Sequence, residues 1–233
     1  GRAVLPQAMR EADHVAGLWG DRSPASVPRR AVILRDTAAS VAALRIASAG
    51  CEVLHIAAHG VFEGDGIDPL HAMRRGGYGN RSGSVLTRSG LVLAAGTSGP
   101  DASREFLSAR SAAALDLRST RWVVLSGCET GLGRPLAHEG SIGLQRGFKL
   151  AGARVLITSL WPVEDRATRQ WMDGLYEARW RAGMPTGEAV REATLRSLQA
   201  RRRLGLSDSP RTWAGFVASG FDDEWPAKAA GGR

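Results

Sequence analysis

Three short runs of apolar residues constrain the fold of this chain most strongly. They span Cys51–Ala58, Trp122–Ser126 and Arg154–Leu160. Because these runs carry almost no polar alternation, they are typical of strands buried on both faces of a parallel sheet. Helical periodicity follows the second and third runs, over residues 139–151, 166–182 and 187–203. Strands that alternate with helices predict an α/β fold with a mostly parallel central sheet, covered by helices on both faces.

The N-terminal part of the chain predicts two further helices and a short strand. The first helix covers residues 7–19, because its small and apolar side chains fall on one face: Ala8, Ala12, Val15, Ala16 and Trp19. A short strand is expected over Ala31–Leu34. A second helix over residues 38–49 follows, with Thr37 as its N-cap and Gly50 after its end.

The remaining segments are shorter or less regular. Residues 61–88 are rich in Gly and Arg and show no period, which predicts a loop whose length is typical of functional or mobile segments. A strand over Leu91–Ala95, a helix over 103–115 and a last apolar segment over Trp213–Val217 complete the pattern. We therefore predict a single domain over residues 1–225, followed by a flexible tail over residues 226–233.

Composition excludes several classes of protein. The chain has 233 residues, of which 43% are hydrophobic and 23% charged, so it is long and apolar enough to bury a core and is not a disordered protein. No apolar run approaches the roughly 20 residues that cross a bilayer. Two cysteines without a Cys/His cluster exclude a disulfide-rich scaffold and a zinc module, and favour a cytoplasmic setting. The start, Gly1-Arg2-Ala3, is interpreted as that of a piece of a longer protein.

The charge is basic, with 31 Lys+Arg against 23 Asp+Glu and a formal net charge of +8. Part of it lies on the last predicted helix, at Arg191, Arg196 and Arg201–Arg203. This basic side is either a solvated face, a docking surface for a partner, or a nucleic-acid surface. Because no recognition helix, zinc finger or stacking platform accompanies it, nucleic acid is not indicated directly.

Two residues that can act as a base and a nucleophile follow neighbouring strands of the predicted sheet. His59 comes directly after the first apolar run, and Cys128 lies two residues after the second. The carboxyl ends of parallel strands meet at one edge, where sites form. There an imidazole can activate a thiolate, and the N–H groups of Gly60 and Cys128 can form an oxyanion hole. Spacing alone leaves the alternative of a buried thiol and a packed or capping histidine open. Cys51 starts its strand about 25 Å away, at about 3.3 Å per residue, and is too distant for a disulfide with Cys128.

A series of motifs extends this pattern along nearly the whole chain, from Leu5 to Phe221. The motifs are Val53–Gly60 (VLHIAAHG), Ser89–Ala94 (SGLVLA), Val123–Gly131 (VVLSGCETG), Glu139–Leu144 (EGSIGL), Ala151–Ala153 (AGA), Ser159–Val163 (SLWPV) and Trp213–Phe216 (WAGF). In this order they resemble the CHAT domain, the caspase HetF-associated family of caspase- and separase-like cysteine peptidases.

The resemblance implies a caspase-like three-layer α/β/α sandwich that acts as a cysteine endopeptidase. His59 matches the family's general base or acid, Cys128 its nucleophile, and Gly60 and Cys128 its oxyanion-hole positions. It implies a specific protein substrate, cleaved through a thioester acyl-enzyme, and no metal or organic cofactor. TPR repeats or another regulatory domain or activating partner are implied, in bacterial defence or cell death.

Two features depart from the family pattern. Family domains usually have further strands upstream, whereas this chain begins near Leu5-Pro6, so the sheet is expected to be incomplete. The loop over residues 61–88 is longer than in many members, which pass more directly from the His-Gly motif to the Ser-Gly-Leu strand. Together with the early start, it suggests an inactive resting form that a partner or ligand orders.

Four further residues are candidates for substrate binding. Glu129 either orients His59 or contacts substrate, or else caps a turn. Trp161 is expected to border the cleft. Glu164 and Asp165 resemble a separase segment that contributes to the P1 pocket, where acidic side chains would favour Arg or Lys; the alternative is an N-cap by Asp165. Ser126 stands where Arg/Lys-specific relatives often carry Asp, which weakens the inference of a basic P1 specificity from this motif.

The other histidines and aromatic residues are assigned structural roles. His55 is predicted to be a satisfied core histidine, and Trp171 and Leu175 core residues. His14, His71 and His138 are predicted to lie at the surface. Two rival functions remain: a catalytically silent pseudo-protease that binds peptides as a regulatory or scaffold module, and a basic nucleic-acid adaptor.

Overall fold

The computed structural model of the protein describes residues 6–20, 30–62, 89–94, 104–126, 137–161 and 163–220. Its strands are β1 Val53–Ile56, β2 His59–Phe62, β3 Ser89–Ala94, β4 Arg104–Ser108, β5 Trp122–Leu125, β6 Val155–Ser159 and β7 Phe216–Gly220. Its α-helices are α1 Pro6–Gly20, α2 Val41–Ser48, α3 Ala109–Ala113, α4 Ala137–Leu150, α5 Asp165–Tyr176 and α6 Thr186–Arg203. Short turns of 3₁₀-helix cover Asp36–Ala38 and Pro210–Thr212, and a π-helical turn over Glu177–Arg181 continues α5.

The main sheet contains four strands in the order β1-β5-β6-β7. β1, β5 and β6 are parallel, and β7 pairs with β6 in the antiparallel direction. The three parallel strands correspond to the three apolar runs of the sequence. The mostly parallel sheet that the sequence predicts is therefore confirmed.

Helices cover both faces of this sheet, which confirms the three-layer α/β/α sandwich. Along β5 the side chains alternate between two cores: Trp122 and Val124 belong to one, Val123 and Leu125 to the other. The first core is closed by α1, α5 and α6. The second is closed by α2, α3 and α4, with Phe148 of α4 fully buried.

A second, smaller sheet lies beyond the carboxyl end of β1. It contains three antiparallel strands in the order β2-β3-β4. An isolated parallel bridge between Ser40 and Ala94 and a hydrogen bond from the Val41 N–H to Glu105 Oε2 (2.7 Å) connect it to the start of α2. This sheet was not predicted as such, because two of its strands fall in segments that the sequence assigns otherwise.

Several predicted boundaries are wrong in detail. Residues 104–108 of the predicted helix over 103–115 form β4, and the start of the predicted loop over 61–88 belongs to β2, which ends at Phe62. Residues 31–34 form no strand. Ser40 rather than Thr37 caps α2, by accepting a hydrogen bond from the Ala43 N–H (3.1 Å). The rest of the predicted loop and the predicted tail lie outside the described residues.

In the second core, α4 approaches α3 closely, and this packing can be tested by substitution. A Cβ atom added at Gly147 of α4 would lie 2.3 Å from the carbonyl oxygen of Ala109. Gly147→Ala should therefore lower the free energy of unfolding in urea by about 1–3 kcal/mol, the usual cost of overpacking. Gly17→Ala in α1, where a Cβ meets nothing within 4 Å, is the matched control and should raise it by about 0.5–1 kcal/mol. Equal effects of the two substitutions would contradict this packing.

Candidate active site

The carboxyl ends of β1 and β5 lie side by side. Ile56 pairs with Leu125 in parallel register, and the Ser126 N–H donates to the Ile56 carbonyl (3.0 Å). The chain then continues from β1 through two alanines to His59, and from β5 through Ser126 towards Cys128. The two predicted catalytic positions therefore follow adjacent strand ends at the same edge of the sheet.

His59 is the first residue of β2, so strand pairing fixes its backbone. It lies opposite Val92 of β3, and Gly60 lies opposite Leu91. The neighbouring Gly90 explains part of the Ser-Gly-Leu motif. A Cβ atom there would lie 2.4 Å from the Leu107 carbonyl oxygen, so only glycine allows β4 to approach β3 this closely.

Cys128 and Glu129 lie outside the described residues, as does Pro162. The nucleophile, the role of Glu129 and the oxyanion-hole contribution of Cys128 therefore stay predictions. Ser126, the last described residue before them, is buried at 3% exposure.

The third strand end contributes Trp161. β6 ends at Ser159, and the next residue, Leu160, donates its N–H to the Gly215 carbonyl (2.7 Å). The indole Nε1–H of Trp161 donates to the Arg211 carbonyl (2.9 Å). The half-buried Trp161 ring is therefore held between the end of β6 and the segment that leads into β7, at the edge where the sequence predicts it.

The two acidic candidates begin α5 at this same edge. Glu164 is the N-cap residue and is exposed, and Asp165 is the first residue of the helix. The predicted N-cap by Asp165 is therefore wrong by one residue, and the side chain of Glu164 makes no capping hydrogen bond. Both carboxylates lie near the positive end of the helix dipole, which stabilises negative charge there.

β1 also carries a buried polar network in the layer between the sheet, α1 and α5, and the sequence indicated only one of its members. His55 of β1 contacts the Tyr176 hydroxyl through Nδ1 (2.7 Å) and the carboxylate of Glu11 through Nε2 (2.6 Å). Glu11 is buried at 1% exposure and Tyr176 completely. All polar groups are satisfied when the phenol donates to Nδ1 and Nε2–H donates to the carboxylate. The prediction that His55 is a satisfied core histidine is confirmed.

Burial and the negative charge of Glu11 raise the pKa of Tyr176 well above its usual value, so the phenol stays protonated and can donate. Sequence reasoning missed Glu11, although its position was readable. It lies four residues before Val15 and seven before Leu18, on the buried face of α1. A charged residue at such a position indicates a buried partner.

A second polar group on α1 lies next to α5. The His14 side chain is 35% exposed, in agreement with its predicted surface position, and its Nε2 lies 3.7 Å from Asp173 of α5. Arg169 lies 3.7 Å from the same carboxylate. Burial raises the pKa of Asp173, and the charges of His14 and Arg169 oppose this shift. The side chains of His71 and His138, which are predicted to lie at the surface, are outside the described part of the structure.

Cys51 lies at the opposite end of β1 from His59. Its sulfur is 3.5 Å from the Thr120 hydroxyl, which donates to the Cys51 carbonyl (2.9 Å). Burial raises the pKa of the Cys51 thiol, and its side-chain hydrogen bond with Thr120 offsets part of this shift. A thiol with a raised pKa is a poor nucleophile at neutral pH.

The family model of the CHAT domain matches residues 3–221. This chain belongs to the CHAT domain family. CHAT is a caspase-like protease family, in agreement with the resemblance drawn from the motifs. Similar curated proteins include tetratricopeptide repeat protein 28 from Mus musculus, which is 33% identical over 109 residues, 46% of this chain and 4% of the relative. The Homo sapiens protein of the same name is 30% identical over 108 residues, with the same 46% and 4% coverage. This chain thus matches only a small part of each relative.

Three other observations concern the described part of the CHAT domain. Among the described residues there is no cluster of three or more His, Cys, Asp or Glu that would suit a metal ion. None of the described helices has the length and hydropathy needed to cross a membrane. On α6, Arg196 pairs with Glu192 (2.7 Å) and Arg201 donates to the Ser207 carbonyl (2.6 Å), so part of the basic side is engaged in local contacts.

The reactivity of Cys51 can be measured directly. In the native CHAT domain at pH 7.5, iodoacetamide should alkylate Cys51 at least about tenfold more slowly than in the urea-unfolded chain, because burial raises the pKa of its thiol. Peptide mapping by mass spectrometry gives the rate at each cysteine separately. Equal rates in the native and unfolded chain would contradict the placement of Cys51.

The raised pKa of Asp173 predicts how the stability of the folded protein changes with pH. Its pKa is higher in the folded state than the ordinary 3.8, so the folded protein loses stability as the pH rises from 3.8 through the raised value. Asp173→Asn removes this loss, and should stabilise the CHAT domain more at pH 7 than at pH 3 in urea unfolding.

The matched control for Asp173 is the exposed Asp116. Its hydrogen bonds from Arg118 lower its pKa from 3.8 to about 2. The stabilisation of the folded state by the Asp116 carboxylate is therefore fully present above pH 3.8 and is lost as the pH falls towards 2. Asp116→Asn should therefore show the opposite trend between pH 7 and pH 3. The same trend for both variants would contradict the assignment for Asp173.

Proposed function

We propose that this CHAT domain is a cysteine endopeptidase that cleaves a specific protein substrate through His59 and Cys128. The observation that carries the proposal is the pairing of β1 with β5. It brings the strand ends that precede the two residues together, since Ser126 donates to Ile56 (3.0 Å). Membership of a caspase-like protease family supports the same chemistry.

In the proposed reaction, His59 takes the proton of the Cys128 thiol and the thiolate attacks the carbonyl carbon of the scissile bond. The carbonyl oxygen becomes negatively charged and is stabilised by the N–H groups of Gly60 and Cys128. His59 then gives the proton to the leaving amine, and a thioester remains on Cys128. Water attacks the thioester with His59 as base, which releases the new carboxyl terminus and restores the thiol.

The substrate pocket is proposed to include Trp161, Glu164, Asp165 and Glu129. The first three lie after the end of β6 at the edge that also carries His59, and two of them are acidic. Acidic side chains near the P1 position favour Arg or Lys through charge-assisted hydrogen bonds. We therefore propose a preference for a basic P1 residue.

The relatives suggest the setting of this activity. Their name records tetratricopeptide repeats, which supports a TPR-associated context for this CHAT domain. We propose that such repeats or another partner activate the peptidase in the cytoplasm, and that it acts in bacterial defence or cell death.

Removing either proposed catalytic residue tests the activity. Cys128→Ala and His59→Ala should each lower cleavage of a fluorogenic positional-scanning peptide library by at least about 10³-fold, because the two residues act as a unit. Cys51→Ala should keep the activity and is the matched control. Unchanged cleavage by Cys128→Ala would refute the peptidase proposal. Failure of a peptide vinyl sulfone to label Cys128 would favour the silent, peptide-binding alternative.

The acidic residues at the start of α5 determine specificity in this proposal. Glu164→Gln with Asp165→Asn should lower kcat/KM for P1 Arg and Lys substrates by about tenfold or more and leave P1 Leu substrates unchanged. Glu188→Gln, an equally exposed acid in the first turn of α6, serves as the control and should change neither. An equal loss for basic and apolar substrates would contradict a direct role in the P1 pocket.

A further inference from the structure

The small antiparallel sheet has one face in the second core and one face outside it. Leu91 and Leu93 of β3 and Leu107 of β4 are buried in that core. Val92 lies between the first two leucines, so its side chain is on the opposite face, because successive side chains of a strand alternate. Val92 is half-buried, and within the described residues neither core includes it. We call the face that carries Val92 the outer face of the small sheet.

Strand register places the candidate base on this outer face. His59 of β2 pairs with Val92, and Val92 pairs in turn with Phe106 of β4. Residues that are paired directly across antiparallel strands have their side chains on the same face. Because neighbouring strands are about 4.8 Å apart, Val92 lies about 5 Å and Phe106 about 10 Å from His59. An imidazole, an isopropyl group and a phenyl group thus form one row across the small sheet.

The position of the Phe106 ring confirms that this side chain is on the outer face. A Cβ atom on Gly90 would lie 2.5 Å from Cζ and 2.7 Å from Cε2 of Phe106. Gly90 is two residues before Val92, so both positions belong to the same face. The half-buried ring therefore lies over β3, in the space that a side chain at position 90 would occupy. The missing side chain lets an apolar ring extend from β4 towards β2.

His59 and Val92 border the same open space. Both line a cavity of about 970 Å³ in the described part of the chain, together with Ala58 and Ala94. A ligand that reaches the imidazole from this cavity therefore also reaches the Val92 side chain. Apolar groups beside an open space favour an apolar ligand, because contact with them removes apolar surface from water.

The direction of proton transfer decides which part of a substrate lies here. In the proposed peptidase reaction His59 gives a proton to the leaving amine, and a general acid lies within about 3 Å of the atom that it protonates. That amine belongs to P1′, the residue that follows the scissile bond, so the primed residues begin beside the imidazole. An extended peptide rises about 3.3 Å per residue, and the side chains of P1′ and P3′ therefore lie on one side, about 7 Å apart. This spacing fits P1′ over Val92 and P3′ over Phe106.

We propose that Val92 and Phe106 form an apolar subsite for the primed side of the substrate, with P1′ against Val92 and P3′ against the Phe106 ring. This inference rests on the proposed peptidase function. The subsite takes aliphatic side chains, which lose their contact with water between the peptide and the outer face. Specificity then has two parts, since charge at the start of α5 selects P1 and apolar contact on the small sheet selects P1′ and P3′.

Two kinds of substrate separate this subsite from a structural role. Internally quenched peptides with Leu at P1′ and P3′ contact the subsite, whereas an aminocoumarin amide with the same unprimed residues has no primed peptide. Val92→Thr and Phe106→Thr should each lower kcat/KM for the Leu peptide by about fivefold or more and leave the aminocoumarin substrate unchanged. Ile46→Thr, at an exposed apolar position of α2, is the matched control and should change neither. Equal losses for both kinds of substrate would show that the two residues only support the small sheet, and would overturn the proposal.

A reversal of preference provides a second test that does not need cleavage. In the Cys128→Ala chain, fluorescein-labelled Ala-Ala-Arg-Leu-Gly-Leu-Gly should bind at least about fivefold more tightly than the same peptide with Glu at P3′, as measured by fluorescence anisotropy. Adding Phe106→Lys should reverse this order, because the new ammonium group attracts the glutamate, whereas adding Ile46→Lys should not. An unreversed order with Phe106→Lys would overturn the proposal. If the wild-type chain cleaves nothing but the order reverses, the peptidase proposal fails and the subsite stands, so the two results are distinguishable.

Discussion

The parallel pairing of β1 with β5 is the constraint on which the rest of this structure depends. Four residue pairs, from Val53 with Trp122 to Ile56 with Leu125, set the register between the two strands. A slip of one residue would turn the side chains of β5 to the opposite faces and exchange its two cores. It would also move the end of one strand away from the other. Fold and candidate site are therefore fixed by the same few backbone hydrogen bonds.

The buried network around His55 adds a polar requirement to this apolar framework. Glu11, His55 and Tyr176 come from α1, β1 and α5, and their side chains satisfy one another in a region that excludes water. An unpaired buried charge is costly, whereas a fully paired set specifies one arrangement of its elements. The network thus fixes the position of α1 on the sheet in a way that Val15 and Leu18 alone would not.

How much of this structure the sequence predicts depends on how far apart in sequence the interacting residues lie. The buried strands were predictable because β5 is apolar at every position and β6 over Val155–Ile157. α1, α5 and α6 were predictable because their periodicity is strong. β4 was taken for a helix because its pairing with β3 depends on residues far away in sequence, and local propensity does not report such partners. Ser40 displaced Thr37 as a cap because a 3₁₀ turn over Asp36–Ala38 precedes α2. His59 and Trp161 were located by their places at strand ends. The burial of Glu11 was readable from its place on α1, but its partner His55 lies 44 residues away and could not be identified from the local sequence.

The two residues of the candidate dyad follow from different sheets. His59 belongs to β2 of that sheet, whereas the approach to Cys128 starts from β5 of the large one. Between the two sheets the chain crosses only at Ala57 and Ala58 on the histidine side. Leu91 and Leu93 of β3 and Leu107 of β4 are buried in the second core of the sandwich, so this core holds the small sheet in place. The position of the candidate base is therefore coupled to the packing of that core, and a substitution at any of these leucines would disturb the imidazole from a distance.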